Sequence, residues 1–236
     1  MPRPTPTRII TTIDPLSAKS EADYSALPRL LTWLSPAFPI GGFAYSHGLE
    51  WAVEAGDVVD ETSLFDWIHD ILRHGSGRSD AILARHAYRA PDLAALRDLA
   101  ELARAVQPTR ERRDETVGQG SAFVLAGAVW GGSGLAGAVA YPVAFGALAR
   151  AQSIPEDPAV LGFLHAFAAN LVSAAVRLVP LGQTAGLRTL AALEPVVAAL
   201  AEATRTAGLD EIGGACFRSD IAAMRHETQY TRLFRS

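Results

Sequence analysis

From Gly118 to Ala149 the chain carries no charged residue, a run well beyond the roughly 20 residues that a bilayer core demands. A stretch of this kind either crosses a membrane or is walled in by the rest of its own chain. Its composition selects the second. Gly131-Gly132-Ser133-Gly134 breaks it in two, Pro142 interrupts the second piece, and Gly, Ala and Ser outnumber Leu, Ile and Phe, as suits helices packed closely inside a protein. Two buried helices are expected here, and the neighbouring segments must supply amphipathic partners for a shared core.

Those partners are legible. Leu27–Leu34 reads as a short helix with Pro28 in its first turn, and Leu49–Glu54 as another. In Thr62–His74, Leu64, Phe65, Ile68, Ile71 and Leu72 recur at helical spacing, and Gly75-Ser76-Gly77 ends the run. Helices follow from Ser79 to about Ala90 and from Asp92, read as an N-cap, to Val106. A helix starting near Thr109 opens in charge and places Val117, Ser121, Val124, Leu125 and Ala128 on its apolar stripe. Asp157 as cap and Pro158 at the first helical position start an almost wholly apolar helix to Val179, expected at the centre. Pro180–Thr184 turns the chain into a helix to about Thr206, which Pro195 should bend or split, and Ser219–Met224 forms a last short one. The expectation is an all-α, single-domain bundle of about eight to ten helices around that central helix. It spans residues 27–224, between a Pro/Thr/Ser-rich flexible leader at 1–26 and a tail at 225–236.

Charge excludes one class of function. With 21 basic against 25 acidic residues and no basic run longer than two, the footprint of a nucleic-acid binder is lacking. A single cysteine, Cys216, cannot form an intramolecular disulfide, which fits the cytoplasm.

Three stretches stand out as contact surfaces. The turn Ser35–Glu50 carries Phe38, Ile40, Phe43 and Tyr45, too much apolar surface for a solvated connection. Asn170, Ser173 and Arg177 fall on one line of the central helix, either bonding nearby carbonyls or forming a polar seam. The tail interleaves Arg225, Arg232 and Arg235 with Tyr230, Leu233 and Phe234, residue types that anchor interfaces, and is too sparse to fold alone. Catalytic sets are wanting. His226-Glu227 begins a zincin motif but Tyr230 stands where the second histidine belongs, Ser46 and His47 are adjacent and diverge, and there is neither a Walker loop nor a Gly-x-Ser-x-Gly elbow. An enzyme with an unfamiliar site around Tyr45, His47 and Glu50 is the competing reading, and a membrane protein using Gly118–Ala149 a further one.

Ser35-Pro-x-x-Pro39-x-Gly41-x-Phe43-x-Tyr45-Ser46-x-Gly48-Leu49-Glu50 resembles the signature loop of the UreF family of urease accessory proteins. Glu115-Thr-x-x-Gln119-Gly120, Tyr141–Gly146, Asn170–Thr184 and the ending Thr231–Ser236 resemble that family in the same order. The resemblance implies an all-α, cytoplasmic protein that is not an enzyme and needs neither cofactor nor metal of its own. It implies a homodimer that binds the accessory protein UreD, also called UreH, and the GTPase UreG, so that nickel reaches apo-urease. By the same resemblance Tyr45, Ser46 and Glu50 belong to a partner-facing surface, and Asn170, Arg177 and Gln183 brace the dimer and its GTPase contact. Tyr230, Arg232, Leu233, Phe234 and Arg235 would dock on UreD.

Overall fold

The computed structural model describes residues 26–236; the leader expected at 1–26 lies, save its last residue, outside the described residues. Ten α-helices follow one another: α1 (Leu27–Leu34), α2 (Leu49–Glu54), α3 (Glu61–His74), α4 (Ser76–Arg89), α5 (Leu93–Ala105), α6 (Arg110–Gly127), α7 (Tyr141–Ala151), α8 (Glu156–Leu178), α9 (Gly182–Ala203) and α10 (Phe217–His226). No strand occurs among the described residues, so the fold is all-α. Local chemistry sets several starts. Asp60 accepts from Ser63 N at 2.8 Å while Ser63 Oγ accepts from Asp60 N at 3.0 Å, a capping box before α3. Asp92 caps α5 as expected, and Thr109 caps α6 by accepting from Arg112 N at 3.1 Å.

Two apolar clusters fill the interior. One gathers α2, α3, the inner faces of α8 and α9, and Phe234 of the tail. The other gathers α1, α5, α6 and α7 around Trp33, Phe123, Phe145 and Phe163, with Trp33 edge-on to Phe123 at 5.7 Å. The uncharged run is not one span: it divides into the end of α6, a 3-10 turn at Ala128–Trp130, a loop, and α7, buried from Pro142 to Ala149. Its small residues have a purpose. A Cβ on Gly120 would collide with the Val139 carbonyl oxygen, and one on Gly146 with that of Ala84, so glycine permits both close crossings of α7. By length and hydropathy α8 and α9 could cross a membrane; half and 39% of their most apolar windows, respectively, lie buried within the molecule.

Several expectations change. The buried side of α6 runs through Arg112, Thr116, Gln119, Gly120, Phe123 and Gly127, whereas Leu125 and Ala128 are exposed, because α7 packs where the glycines are. Helix α4 begins at Ser76, three residues early, since Gly75 alone makes the kink after α3. Helix α8 starts after Pro155 with Asp157 inside its first turn, because Arg85 draws that carboxylate down (2.9 Å) together with Glu156 (2.6 Å). Arg85, 1% exposed, also donates to Ala201 O at 2.7 Å and so fastens α4 to the start of α8 and the end of α9. Helix α9 runs uninterrupted through Pro195. The central helix is not apolar all round: Leu161, His165, Ser173 and Arg177 face solvent.

Candidate functional site

The three stretches singled out in the sequence meet at one joint. Between α1 and α2 the chain makes a 3-10 turn at Gly42–Ala44, then passes His47 and Gly48 in left-handed backbone, φ 62° and 77°, before α2 begins. At Gly48 a side chain would also strike the backbone of Ala223 in α10, so the entry to α2 is pressed against the last helix.

Helix α8 grips this turn by its carbonyls. Asn170 Nδ2 donates to Gly42 O at 3.1 Å and Arg177 Nη1 to Phe43 O at 2.9 Å, while Arg177 Nε returns to Ser173 O. The polar line is thus no buried seam: Asn170 is half-buried, Ser173 and Arg177 are exposed, and the loop takes the hydrogen bonds of Asn170 and Arg177. The Arg177 guanidinium also lies 4.5 Å from the centre of the Phe234 ring, joining the tail to the same knot.

The tail docks on its own chain, contrary to the expectation that it has too little surface to order alone. What the sequence concealed is a set of buried carboxylates that receive it. Glu50 accepts from Leu233 N at 2.7 Å and Phe234 N at 2.9 Å, and its second oxygen lies 3.0 Å from His226 Nε2. On the other side of that fully buried ring, Nδ1 is 2.7 Å from Glu111, whose second oxygen accepts from Arg232 at 2.8 Å. Both ring nitrogens face carboxylate oxygens, so the ring bridges α2 and α6. Deeper in, Ser46 N donates to Ser236 O at 2.8 Å, the Ser46 hydroxyl donates to the same oxygen, and Ser236 Oγ donates to Glu115 at 2.6 Å. Arg235 N reaches Ala44 O at 2.8 Å, completing the seam between tail and turn.

Glu115 is the electrostatic hub. Burial alone would raise its pKa, but the Arg112 guanidinium, and after it His47, hold it far below the usual carboxylate range. Burial first, then the Arg112 charge, lowers His47 to about 4 against the pull of Glu115. Neutral His47 has Ser76 Oγ at 2.6 Å from Nε2 and Glu115 at 3.5 Å from Nδ1. Serine, histidine and glutamate thus stand in line, but Nδ1 lacks a well-aligned acceptor and Glu115 is committed to Arg112 and Ser236.

The named residues therefore sort into two groups. Ser46, Glu50 and Phe234 are buried and serve the joint itself, so they are not surfaces of the chain as it stands. Tyr230 and Leu233, 102% and 66% exposed, project from it, and Arg177, Arg232 and Arg235 are exposed beside them in the chain of contacts. Tyr45 is half-buried, its hydroxyl lying over Gly118 of α6; Gln183 is exposed in the first turn of α9, and no hydrogen bond ties it to the joint. Sequence reasoning gave no role in the joint to Glu111, Arg112, Glu115 and His226, Glu115 being noted only as the start of a family motif. A signal for the first three existed, since they share the side of α6 that continues into Phe123.

Fold and site together define an all-α protein whose marked residues build a joint between distant segments. The family model described as UreF matches residues 58–194. The chain is 54% identical to a urease accessory protein UreF of Bradyrhizobium sp. (strain ORS 278), over 93% of this chain and 96% of that one. It is 52% identical to the protein of that name from Rhodopseudomonas palustris (strain BisB5), over 96% of each, and 51% to that of Bradyrhizobium diazoefficiens, over 97% and 100%. The chain belongs to the UreF family.

Proposed function

We propose that this chain is an accessory protein of urease maturation. It bridges the UreD/UreH accessory protein and the GTPase UreG, as a homodimer in the cytoplasm, so that nickel is inserted into apo-urease. It does this by presenting surfaces and not by making or breaking bonds. The observation that supports this reading is the joint: buried carboxylates draw the tail onto the turn, helix α8 holds the turn by its carbonyls, and what they leave outside is a set of aromatic, aliphatic and arginine side chains suited to a partner. An active site around Tyr45, His47 and Glu50 fits less well, because the Glu50 oxygens are taken by two backbone N–H groups and His226.

In this reading Tyr230, Leu233, Arg232 and Arg235 face UreD, while Arg177 and Gln183 serve the dimer and the GTPase. The test is co-expression with UreD, UreG and apo-urease. Tyr230→Ala combined with Leu233→Ala removes two exposed side chains and no hydrogen bond of the joint, so the helical circular dichroism and melting temperature stay as they were while UreD no longer co-purifies and urease stays inactive. A double variant that still brings UreD down in full yield removes the tail from the interface.

A further inference from the structure

A largely apolar groove of about 880 Å3 runs between α1, with the turn after it, and the outer side of α8, which lines it from Pro158 to Ser173, about 22 Å of helix. Its rim holds side chains that the described residues leave uncovered: Leu27, Leu31 and Leu161 are 42%, 62% and 43% exposed, and Phe43 at the far end is 68% exposed. Large apolar side chains gathered along one concave face mark a contact surface. The described chain begins at that rim. Leu27 is the first residue of α1, Arg29 ties this end of α1 to Gln152 just ahead of α8, and Leu34 sits against Gly162, so residues 1–25 lead away from the start of the groove.

The sequence supplies an occupant of matching length. Ile9, Ile10, Ile13 and Leu16 fall within eight residues, which reach about 26 Å when extended, and the ten residues between Leu16 and Leu27 span up to about 33 Å, enough to turn back into the groove. Arg8 stands beside this apolar run, and the groove carries on its exposed wall Glu194, which has no ion-pair partner among the described residues. We infer that residues 9–16 lie in this groove of their own chain, their aliphatic side chains covering the rim leucines and Arg8 facing Glu194. A segment tethered at the groove's end is present at an effective concentration on the order of millimolar, which a separate protein or a second copy must match from solution. Arg177 and Gln183 are outside the lining, so the leader shields the groove and leaves free the residues given above to the dimer and the GTPase.

The experiment is brief trypsin cleavage of the full chain carrying Lys19→Gln, read by mass spectrometry as release of residues 1–8. Pro4 blocks the bond after Arg3, so Arg8 is then the one cleavable site in the leader. Leu31→Asp combined with Leu161→Asp places two charges on the rim and is expected to speed this cut about tenfold or more, since a leucine-sized side chain taken out of water is worth at least that factor. Glu194→Lys should speed it about two- to fivefold, the worth of an exposed ion pair. Ile10→Asp combined with Ile13→Asp alters the leader alone, leaves the described helices untouched, and should raise the fluorescence of the dye ANS severalfold as the groove is uncovered. That arm decides the matter even if the rim variant fails to fold. The proposal is overturned if the folded rim variant is cut at the parent's rate, or if ANS binding ignores the leader substitutions. It is equally overturned if Arg8 is protected only at concentrations where a dimer sediments, which would give the groove to a second copy of the chain. None of these results depends on urease partners, so they leave the accessory reading standing.

Discussion

Replacing Glu50 by glutamine keeps volume and shape and changes only what the side chain can accept. In the native joint three donors converge on its two oxygens: Leu233 N on one, Phe234 N and His226 on the other. A glutamine can keep its oxygen toward the second pair, which leaves its own NH2 pointing at the N–H of Leu233. An unpaired buried donor costs about 1–3 kcal/mol, and losing the charge from the two remaining bonds costs on the order of 1 kcal/mol in all. The sum, about 3 kcal/mol, acts on a segment held largely by these contacts, so it appears as local opening before global unfolding. The assay is native-state trypsin cleavage at Arg232 and Arg235, followed by mass spectrometry. Where opening is fast relative to cleavage, about 3 kcal/mol raises the rate roughly a hundredfold. A rate within twofold of the parent would refute the claim that Glu50 holds the tail.

Further tests follow from the interior. Arg85→Ala leaves the buried Ala201 carbonyl without its donor while Arg89 still pairs with Glu156 and Arg205 with Asp157, and should lower urea stability by about 1–3 kcal/mol, whereas Arg205→Ala, whose ion pairs are half-exposed, should cost under about 1 kcal/mol. Gly146→Ala drives a methyl into the Ala84 carbonyl, and a melting temperature lowered by several degrees, about 2 kcal/mol or more, is expected. Asp80 and His47 make a paired pH test. Folding raises the Asp80 pKa from 3.8 to about 7 and lowers that of His47 from 6.5 to about 4. Between about pH 4 and 6.5 the folded chain therefore holds its proton on Asp80 and the unfolded chain holds one on His47, and the two contributions cancel. In Asp80→Asn only the histidine contribution is left, the unfolded state binds the extra proton, and stability should climb with pH by roughly 3 kcal/mol across that window. His47→Asn should show the opposite slope up to about pH 7, and denaturant midpoints that move in parallel in both variants would contradict the assignment.

Much of the architecture was legible because helix starts and apolar periodicity are local properties. Asp92 capped its helix, Gly75 ended α3, and the second helix of the uncharged run went inside as composition required, while Leu125, Val129 and much of the loop before α7 stayed exposed. The central helix and the α6 stripe were drawn too simply, since which face is buried depends on where α7 finds glycines to approach. The joint was half visible. Its three stretches were picked out, with Glu50 among them as a partner-facing residue, but the burial of Glu50, Glu111 and Glu115 to receive the tail was not, because the tail groups they bind stand 115 residues or more away from α6 and 176 or more from α2 in the chain. His226 was dismissed with a failed metal motif, and only the fold reveals it between two carboxylates. The tail's order was missed for the same reason: apolar surface was counted, and backbone N–H groups waiting for carboxylates were not.

The two apolar clusters have walls in common. Ala81 of α4 belongs to one and Leu83 and Ala87 to the other; Leu164 and Ala168 of α8 lie in the first and Ala159 and Phe163 in the second. Neither half can come apart without stripping a side of a rod that the other half leans on. Heat or denaturant should accordingly meet one indivisible body, melting in a single sharp step in spite of its divided interior.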